Sequence, residues 1–328
     1  MPSSPFIPQS PCPVCGQKEA IVASRRDRRG EPLLTVCCPH CGLFRNDPLP
    51  TSDELRRFHA AEYRESYKGV RTPKARNLYR SARLARHRLE QLGRRLPARA
   101  RILDVGSGSG EWLAALAAAG HQVSGVEPDP HYGEYARQQY GVSVETAGIL
   151  DLERPEGSLD VITLFHVLEH LPDPLAVLGK FRGWLRPGGL LIVEVPNTNC
   201  VHQNPAGRFH AAHVIGFTRE SLDHALRAGG WERMELSLGS QERNLLAIAC
   251  KPAAPPSPGA APPPPGAVPP PPLLTSPATL WRYYLRPATY LRFLARMAQF
   301  TAEWLAVRRG VTPRAVLGLA QNSNRKTS

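Results

Sequence analysis

The sequence predicts an α/β protein in which a sheet-forming body follows a small metal-binding module and precedes a helical tail. Between residues 98 and 251, buried-type strands alternate with helical patterns, which is typical of a largely parallel sheet covered by helices. Two Cys-x-x-Cys pairs lie near the N-terminus. A proline-rich stretch over 252–277 cannot build a packed core and is typical of an extended linker. Residues 278–328 are therefore expected to form a separate tail.

Composition and charge indicate the cellular compartment of the protein more clearly than its function. The 328 residues carry a formal net charge of +13, mostly from arginine, which fits either an acidic partner or the arginine-rich usage of a GC-rich genome. The apolar runs are far shorter than a bilayer span, and the N-terminus lacks the plan of a signal peptide. Paired cysteines fit a metal site better than a disulfide framework. The sequence therefore predicts a cytoplasmic protein.

The N-terminal cysteines predict a structural zinc site in a ribbon over 1–50. Two matched Cys-x-x-Cys-Gly turns would aim four thiolates at one point, and four thiolates complete the tetrahedral shell of Zn²⁺. Short strands over 20–24 and 33–37 are expected between the turns, and so small a module takes much of its stability from the metal. Free or redox-active thiols are the competing hypothesis. The predicted ligands are Cys12, Cys15, Cys38 and Cys41, with Cys37 as the alternative to Cys38.

Residues 51–97 carry helical patterning and lead into the sheet body. Ser52 is expected to cap a helix that begins at Asp53, and a longer helix is predicted from Lys74 to Leu96. Arginines cover much of this longer helix outside its apolar stripe. They form either a solvated face or a track for phosphate groups.

A glycine-rich turn follows the first strand of the body, Arg101–Val105. The turn, Gly106-Ser-Gly-Ser-Gly110, leads directly into a helix, so that backbone amides meet a ligand at close range. The next strand, over 121–126, ends in Glu127, where an acid can bind both hydroxyls of a ribose. The third glycine comes one residue too early for a dinucleotide-binding turn. Asp104, just before the turn, would repel a diphosphate but attract an ammonium group.

The run D-V-G-S-G-S-G, followed by G-V-E-P-D, resembles motifs I and II of class I S-adenosylmethionine-dependent methyltransferases. The resemblance implies a seven-stranded Rossmann-like sheet over about 98–251 and S-adenosylmethionine as the cofactor. It also implies that Asp104 and the glycine turn hold the methionine end and that Glu127 holds the ribose. Ile149 and Leu150 would flank the adenine. The predicted cofactor-binding residues are Asp104, Gly106, Ser107, Gly108, Gly110, Glu127, Pro128, Ile149, Leu150 and His166.

The second half of the body predicts the remaining elements of this sheet. Strands are expected over 142–145, 159–165, 190–195, 232–238 and 245–250, with helices over 175–185 and from Thr218. The last two strands would form the antiparallel hairpin that closes the sheet in this class.

His166 and the run E-H-L-P-D-P follow the strand over 159–165. Together they resemble a methyltransferase group that includes quinone-biosynthesis and sugar-tailoring enzymes. That resemblance implies that His166 lies beside the sulfonium. Glu169 and His170 either act in the site or fix the local structure, and both interpretations remain open.

The loop over 196–217 is the predicted source of catalytic groups, because long loops at the carboxyl ends of strands tend to be functional. Sugar C-methyltransferases that resemble this chain carry zinc-binding cysteines before the sheet and use a histidine in this region as a base. The resemblance implies His213 and His210 as catalytic residues, with His166 as a third. Histidine suits proton removal from a hydroxyl or carbon acid. The predicted activity is methyl transfer to an O- or C-nucleophile of a small molecule or a glycan- or lipid-linked precursor.

Two alternative functions remain open. Certain rRNA methyltransferases also place a four-ligand zinc module before a Rossmann-like domain, so nucleic acid is a second candidate acceptor. The third hypothesis is a non-catalytic zinc-ribbon binding protein, against which the intact glycine turn and Glu127 argue.

The tail is predicted to be helical over 280–309, where aromatic residues alternate with arginines. Such a helix can lie on an anionic membrane surface. This interpretation places the protein at the inner face of the membrane and favours a lipid-linked acceptor. Docking on the body or on a second subunit is the alternative.

Overall fold

The computed structural model describes residues 8–51, 54–55, 73–200, 203–204, 207–238, 243–253 and 277–320. The chain divides into two compact units. The first unit comprises residues 1–55, 155–157 and 164–289, and the second comprises 56–154, 158–163 and 290–328. The predicted sheet body over 98–251 contributes residues to both units.

The described residues contain eleven strands and eight α-helices. The strands are β1 (Ile21–Arg26), β2 (Pro32–Cys37), β3 (Phe44–Asn46), β4 (Arg101–Val105), β5 (Gln122–Val126), β6 (Ser143–Glu145), β7 (Leu159–Phe165), β8 (Leu185–Pro196), β9 (Ile215–Gly216), β10 (Glu232–Leu238) and β11 (Asn244–Cys250). The helices are α1 (Ala75–Leu92), α2 (Glu111–Ala118), α3 (Pro130–Tyr140), α4 (Pro174–Trp184), α5 (Arg219–Ala228), α6 (Pro277–Tyr284), α7 (Pro287–Arg308) and α8 (Pro313–Val316).

Seven strands form a mixed sheet in the order β10-β11-β8-β7-β4-β5-β6, which confirms the predicted α/β fold. In the second unit β4, β5 and β6 are parallel, with Asp104 opposite Gly125. In the first unit β11 pairs antiparallel with both β8 and β10. Strand β8 begins five residues before its predicted start at Leu190, because backbone bonds between Lys251 and the Gly188–Gly189 turn extend the ladder.

Three N-terminal strands and one later strand form a second sheet, in the order β1-β2-β3-β9. The predicted hairpin is present as β1 and β2, which pair antiparallel from Ile21 opposite Cys37 to Arg26 opposite Pro32. Strand β9 comes from the loop over 196–217 and pairs with β3, so that Arg45 lies opposite Ile215. The last strand of this sheet is therefore supplied by the loop that was predicted to carry catalytic histidines.

Local signals explain where several helices begin. Asp129 caps α3 by accepting hydrogen bonds from the backbone of His131 and Tyr132. Thr218 caps α5 in a reciprocal arrangement with Ser221. In the lead-in, Thr51 makes the corresponding reciprocal contacts with Glu54. Ser52, predicted as that cap, lies outside the described residues, as does the predicted helix beyond Leu55.

The tail differs from the single predicted helix. It consists of α6 and α7, because Pro287 begins a new helix after Tyr284, and of the short α8. Within the second unit α7 is tied to α1, since the guanidinium of Arg80 donates to both carboxylate oxygens of Glu303, which is 1% exposed. No helix in the described part of the chain has the length and apolar character needed to cross a bilayer.

Candidate active site

The glycine turn after β4 has a left-handed backbone. Gly106, Gly108 and Gly110 have φ angles of 73°, 56° and 87°, a region in which residues with a side chain are strained. The amides of Gly106 and Ser107 donate to the carbonyl oxygen of Val126 at 2.8 and 3.0 Å. These bonds fix the turn against the end of β5, within the second unit.

Glu127 lies against this turn, as predicted. Its carboxylate accepts hydrogen bonds from the amide of Gly108 at 2.8 Å and from that of Asp129 at 3.1 Å. The residue is 3% exposed. The structure thus brings together the turn and the acid that the sequence assigned to the ribose.

Asp104 is a buried carboxyl group immediately before the turn. Its Oδ1 accepts a hydrogen bond from the hydroxyl of Thr163 at 2.6 Å. Burial raises the pKa of Asp104 to about 7, against the opposing effects of the Thr163 hydrogen bond and the charge of Arg88. A cationic group brought near this carboxyl would favour its ionised form. The amino group of a methionine moiety is such a cation, so the residues present fit the methionine end of the cofactor.

Four other predicted cofactor residues, in the turn, after β5 and after β6, differ in exposure. Ser107 is buried and Pro128 is exposed. Ile149 is buried and Leu150 half-buried, on a short helical turn after β6.

Two residues of this region were not predicted. Glu111, the first residue of α2, is buried beside the turn and accepts hydrogen bonds from Ser109 at 2.6 Å and Tyr140 at 3.2 Å. Burial raises its pKa to about 7. Gly125 leaves room for the turn, because a Cβ there would lie 2.7 Å from the hydroxyl oxygen of Ser107. A single glycine inside a strand indicates such a close approach.

The first unit contains a cavity of about 270 Å³ lined by all three predicted catalytic histidines. His166 lies directly after β7, whereas His210 and His213 come from the loop that also supplies β9. Glu169 lines the same cavity. The imidazole rings of His210 and His213 lie 3.9 Å apart, and that of His170 lies 4.8 Å from His213.

His166 is held by two carboxylates. Its Nε2 lies 3.1 Å from Glu194 and its Nδ1 lies 3.4 Å from Glu169, and Asn244 donates to Glu194 at 2.7 Å. Burial opposes the charged imidazolium, but the two acids outweigh it and raise the pKa of His166 to about 9. His166 is therefore protonated at neutral pH. Its backbone has a φ of 59°, which is strained for a residue with a side chain.

His210 and His213 have the opposite electrostatic character. Burial, together with the neighbouring His170 and Arg28, lowers the pKa of His210 to about 3 and that of His213 well below its usual value. Both are neutral at pH 7 and are able to accept a proton or a metal ion. The side chain of His213 is 26% exposed, whereas His210 is 6% exposed.

Three arginines that the sequence analysis did not single out also line the cavity: Arg28, Arg45 and Arg208. Arg45 is 1% exposed, and its Nη2 donates to the carbonyl oxygen of Ser10. Its Nε and Nη1 are buried without a hydrogen-bond partner among the described residues. A charged group buried in this way is costly unless it is paired, so Arg45 is suited to an anionic ligand.

The four predicted zinc ligands converge within the first unit. The sulfur atoms of Cys12, Cys15, Cys38 and Cys41 all lie within 4.8 Å of one another. The two turns match: Gly16 and Gly42 each have a φ of 73° and donate to the first cysteine of their pair at 2.9 Å. A set of four thiols at this spacing suits tetrahedral Zn²⁺.

Cys37 lies outside this cluster. It is buried, its thiol donates to the backbone carbonyl of Cys38 at 3.7 Å, and burial raises its pKa to about 12. Cys38 rather than Cys37 therefore completes the group of four.

Residues 74–236 match a family model described as a methyltransferase domain. The matched segment includes the glycine turn, Glu127 and all three predicted catalytic histidines. The chain carries a class I S-adenosylmethionine-dependent methyltransferase domain.

Relatives of this methyltransferase domain share part of the chain. A ubiquinone biosynthesis O-methyltransferase of Xanthomonas axonopodis pv. citri (strain 306) is 38% identical over 117 residues, which are 34% of this chain and 49% of that protein. The protein of the same name from Xanthomonas euvesicatoria pv. vesicatoria (strain 85-10) is 36% identical over 118 residues, with the same coverage of 34% and 49%. The chain thus spans about half the length of the curated relatives it matches.

Among solved structures, the chain is similar to 1,6-didemethyltoxoflavin-N1-methyltransferase of Burkholderia thailandensis with bound 1,6-didemethyltoxoflavin and S-adenosylhomocysteine. The sequences are 22% identical, the TM-score is 0.48, and the match covers 67% of this chain and 96% of that chain.

Proposed function

We propose that this protein transfers the methyl group of S-adenosylmethionine to an oxygen atom of a small-molecule acceptor. The methyltransferase domain over 74–236 supports the donor. The relatives named ubiquinone biosynthesis O-methyltransferase, at 34–38% identity over part of the chain, support oxygen as the accepting atom. A carbon acceptor is the alternative, because carbon acids and hydroxyls both lose a proton during the reaction.

The histidine-lined cavity of the first unit is the observation that carries this proposal. Its volume of about 270 Å³ suits a small molecule. Small-molecule and glycan-type acceptors are therefore favoured over nucleic acid. Because the cavity contains both a protonated imidazole, His166, and two neutral ones, it can orient a hydroxyl group and accept its proton.

Methyl transfer requires mainly that the acceptor is positioned against the methyl group and that one proton is removed from it. When bound, S-adenosylmethionine supplies a reactive methyl group on a sulfonium. Asp104 would bind its amino group, and Glu127 its ribose. Alignment of a nucleophile with the methyl group is worth roughly 7–11 kcal/mol. His213, which lines the cavity and is partly exposed, is the first candidate to accept the acceptor proton, with His210 as the second.

The buried guanidinium of Arg45 supports a finer statement about the acceptor. Two of its nitrogens have no partner among the described residues, and it lines the cavity together with Arg28 and Arg208. A carboxylate or phosphate on the acceptor would compensate this charge, because arginine binds such groups through two parallel hydrogen bonds. The proposed acceptor is therefore an anionic hydroxy compound.

The zinc site is proposed as structural. The four cysteines leave no position open for a substrate. Their two turns flank the β1–β2 hairpin, whose turn carries Arg28, and precede β3, which carries Arg45; both arginines line the cavity. The metal would hold the anion-binding side of the cavity in place and take no part in the chemistry.

The decisive experiment measures donor binding and acceptor choice separately. Titration calorimetry with S-adenosylhomocysteine should show one site per chain. Isotope-labelled methyl groups should then be transferred to a dihydroxybenzoate faster than to the matching catechol without a carboxylate. Arg45→Met should remove this preference, whereas Arg45→Lys should keep part of it. Absence of S-adenosylhomocysteine binding would refute methyl transfer, and equal rates with both phenols would refute the anionic acceptor.

A further inference from the structure

Three side chains beside the cavity of the first unit converge as metal ligands do. One ligand atom from each of Glu169, His170 and His213 lies within 4.8 Å of the other two. Donor atoms that share one zinc ion at about 2.0–2.2 Å lie roughly 3–4 Å apart. The Nε2 of His213 and the Oε1 of Glu169 are 3.9 Å apart. Small side-chain rotations would therefore close the group around an ion.

The surroundings of the Glu169 carboxylate are the observation that supports a bound cation. Its side chain is 1% exposed, yet neither carboxylate oxygen has a hydrogen-bond partner among the described residues. The nearest cationic atom, Nδ1 of His166, lies at 3.4 Å. A buried carboxylate without hydrogen bonds is costly. A bound cation removes that cost, because it pairs with the carboxylate directly.

His170 is arranged in the way that metal-binding histidines are. Its Nδ1 lies 2.7 Å from the carbonyl oxygen of Ala212, to which it donates a hydrogen bond. This bond fixes the tautomer, so that the lone pair lies on Nε2. A ligating histidine typically donates its other ring nitrogen to such a backbone oxygen.

The backbone around the three residues is well fixed. Glu169 and His170 belong to a short helical turn over Leu168–His170. The amide of His213 donates to the carbonyl oxygen of His210 at 3.1 Å, and Asn46 of β3 donates to the carbonyl oxygen of His213 at 3.4 Å. The backbone that carries the three side chains is therefore held in position before any ion binds.

We propose that Glu169, His170 and His213 bind a divalent transition-metal ion at the edge of the cavity. Two imidazoles and one carboxylate favour zinc or iron(II) over magnesium, which prefers oxygen ligands alone. Three protein ligands leave at least one coordination position open. Because Glu169 and His213 line the cavity, an ion bound to them would be reached from its interior.

The ion would bind the oxygen atom of the acceptor and lower the pKa of its hydroxyl group. This role rests on the proposed function, whereas metal binding itself does not. It assigns His213 as a metal ligand and leaves His210 as the imidazole that accepts the proton. The hydroxyl loses its proton to His210, the oxygen attacks the methyl group, and the carbon–sulfur bond breaks to leave a neutral thioether.

The test is a count of metal ions per chain in the full-length protein loaded with Zn²⁺ and freed of excess metal. Elemental analysis should give two zinc ions for the wild type, one at the four cysteines and one at Glu169, His170 and His213. His213→Ala and Glu169→Gln should each reduce the count to one. The control Gln203→Ala, in a residue that lines the same cavity without being a ligand, should keep two.

Cobalt(II) substitution distinguishes loss of the second ion from misfolding of a variant with a substituted buried residue. A site of two imidazoles and one carboxylate lacks the intense thiolate-to-metal absorption of the four-cysteine site, so the two ions are distinguished in one spectrum. His213→Ala should lose only the weaker bands. A wild-type protein that saturates at one ion, or a His213→Ala variant that keeps two, overturns the proposal.

Binding of S-adenosylhomocysteine, measured on the same samples, separates this inference from the proposed function. Donor binding with one metal ion refutes the second site alone. Two ions without donor binding refute methyl transfer alone.

Discussion

The proposed donor site and the proposed acceptor cavity are assembled in contrasting ways. In the second unit, the glycine turn, Asp104 and Glu127 come from two consecutive strands, and their contacts are mostly with backbone amides. In the first unit, the cavity takes Arg45 from the ribbon, His166 from the end of β7 and His213 from a loop. Its polar groups are side chains from distant parts of the chain. Local backbone geometry therefore determines the donor site, whereas long-range packing determines the acceptor site.

Removal of the proposed structural zinc ion should have the largest effect and should disrupt the first unit alone. Zinc contributes on the order of 10 kcal/mol to the folding of small zinc modules. Cys41→Ser should therefore lose the ion, unfold the four-stranded sheet and abolish methyl transfer. Binding of S-adenosylhomocysteine should persist, because the described turn and acids that are proposed to hold it lie in the second unit. Elemental analysis, circular dichroism and calorimetry measure these three properties.

Cys37→Ser is the matched control for this prediction. Cys37 is as deeply buried as Cys41 but lies outside the cluster, so its replacement should retain the zinc ion and cost only about 1–3 kcal/mol from burial of a hydroxyl group. Loss of zinc from this variant, or loss of donor binding from Cys41→Ser, would contradict the separation of the two sites.

A substitution in the glycine turn should have the next largest effect and should weaken donor binding. Gly110 has a φ of 87°, and a Cβ there would lie 2.6 Å from the Cβ of Ala136. Gly110→Ala combines backbone strain with overpacking, at a cost of roughly 2–4 kcal/mol. We expect a lower midpoint of thermal unfolding and at least tenfold weaker binding of S-adenosylhomocysteine, measured by calorimetry.

Gly120 provides the comparison for this variant. Its φ is 90°, but a Cβ there would have no atom within 4 Å. Gly120→Ala should therefore cost only the backbone strain, roughly 1–2 kcal/mol, and should leave donor affinity unchanged. Equal losses of affinity in the two variants would show that strain anywhere near α2, rather than the shape of the turn, controls binding.

The same contrast explains how much could be predicted from the sequence. The bounds of β7 and β10 were predicted to the residue, because each is a continuous strand pattern that ends at a clear signal. The four cysteines that were predicted to bind zinc have sulfur atoms that converge in the structure. Short strands such as β3 and β9 have too few residues for periodicity to indicate them. Their pairing is decided by tertiary contact.

The burial of Arg45 in the cavity could not be predicted from the sequence for the same reason. In the sequence it is one arginine among many, and nothing in the three residues of β3 marks it as buried. Its position in the cavity lining depends on the pairing of β3 with β9 and on the other chain segments that line the cavity. Pro287, in contrast, was a visible signal for the break between α6 and α7, and the expectation of one continuous helix was wrong for that reason.

The smallest of these effects is a pH dependence of S-adenosylhomocysteine binding that arises at Asp104 and not in the cavity. Burial raises the pKa of Asp104 from 3.8 to about 7, while Arg88 favours its ionised form and Glu127 its protonated form. Without ligand the carboxyl is therefore protonated below about pH 7. The amino group of S-adenosylhomocysteine stabilises the ionised form, so that binding expels a proton in this range.

Affinity for S-adenosylhomocysteine should consequently rise by up to about tenfold per pH unit between about pH 5.5 and 7, and then level off. Calorimetry in two buffers of different ionisation enthalpy should detect proton release below pH 7 and none at pH 8.5. Asp104→Asn should abolish both the slope and the proton release, whereas Asp151→Asn, at an exposed carboxyl, should keep them. A slope that survives in Asp104→Asn would place the titrating group elsewhere, and the donor site would then depend on more than the turn and its neighbouring acids.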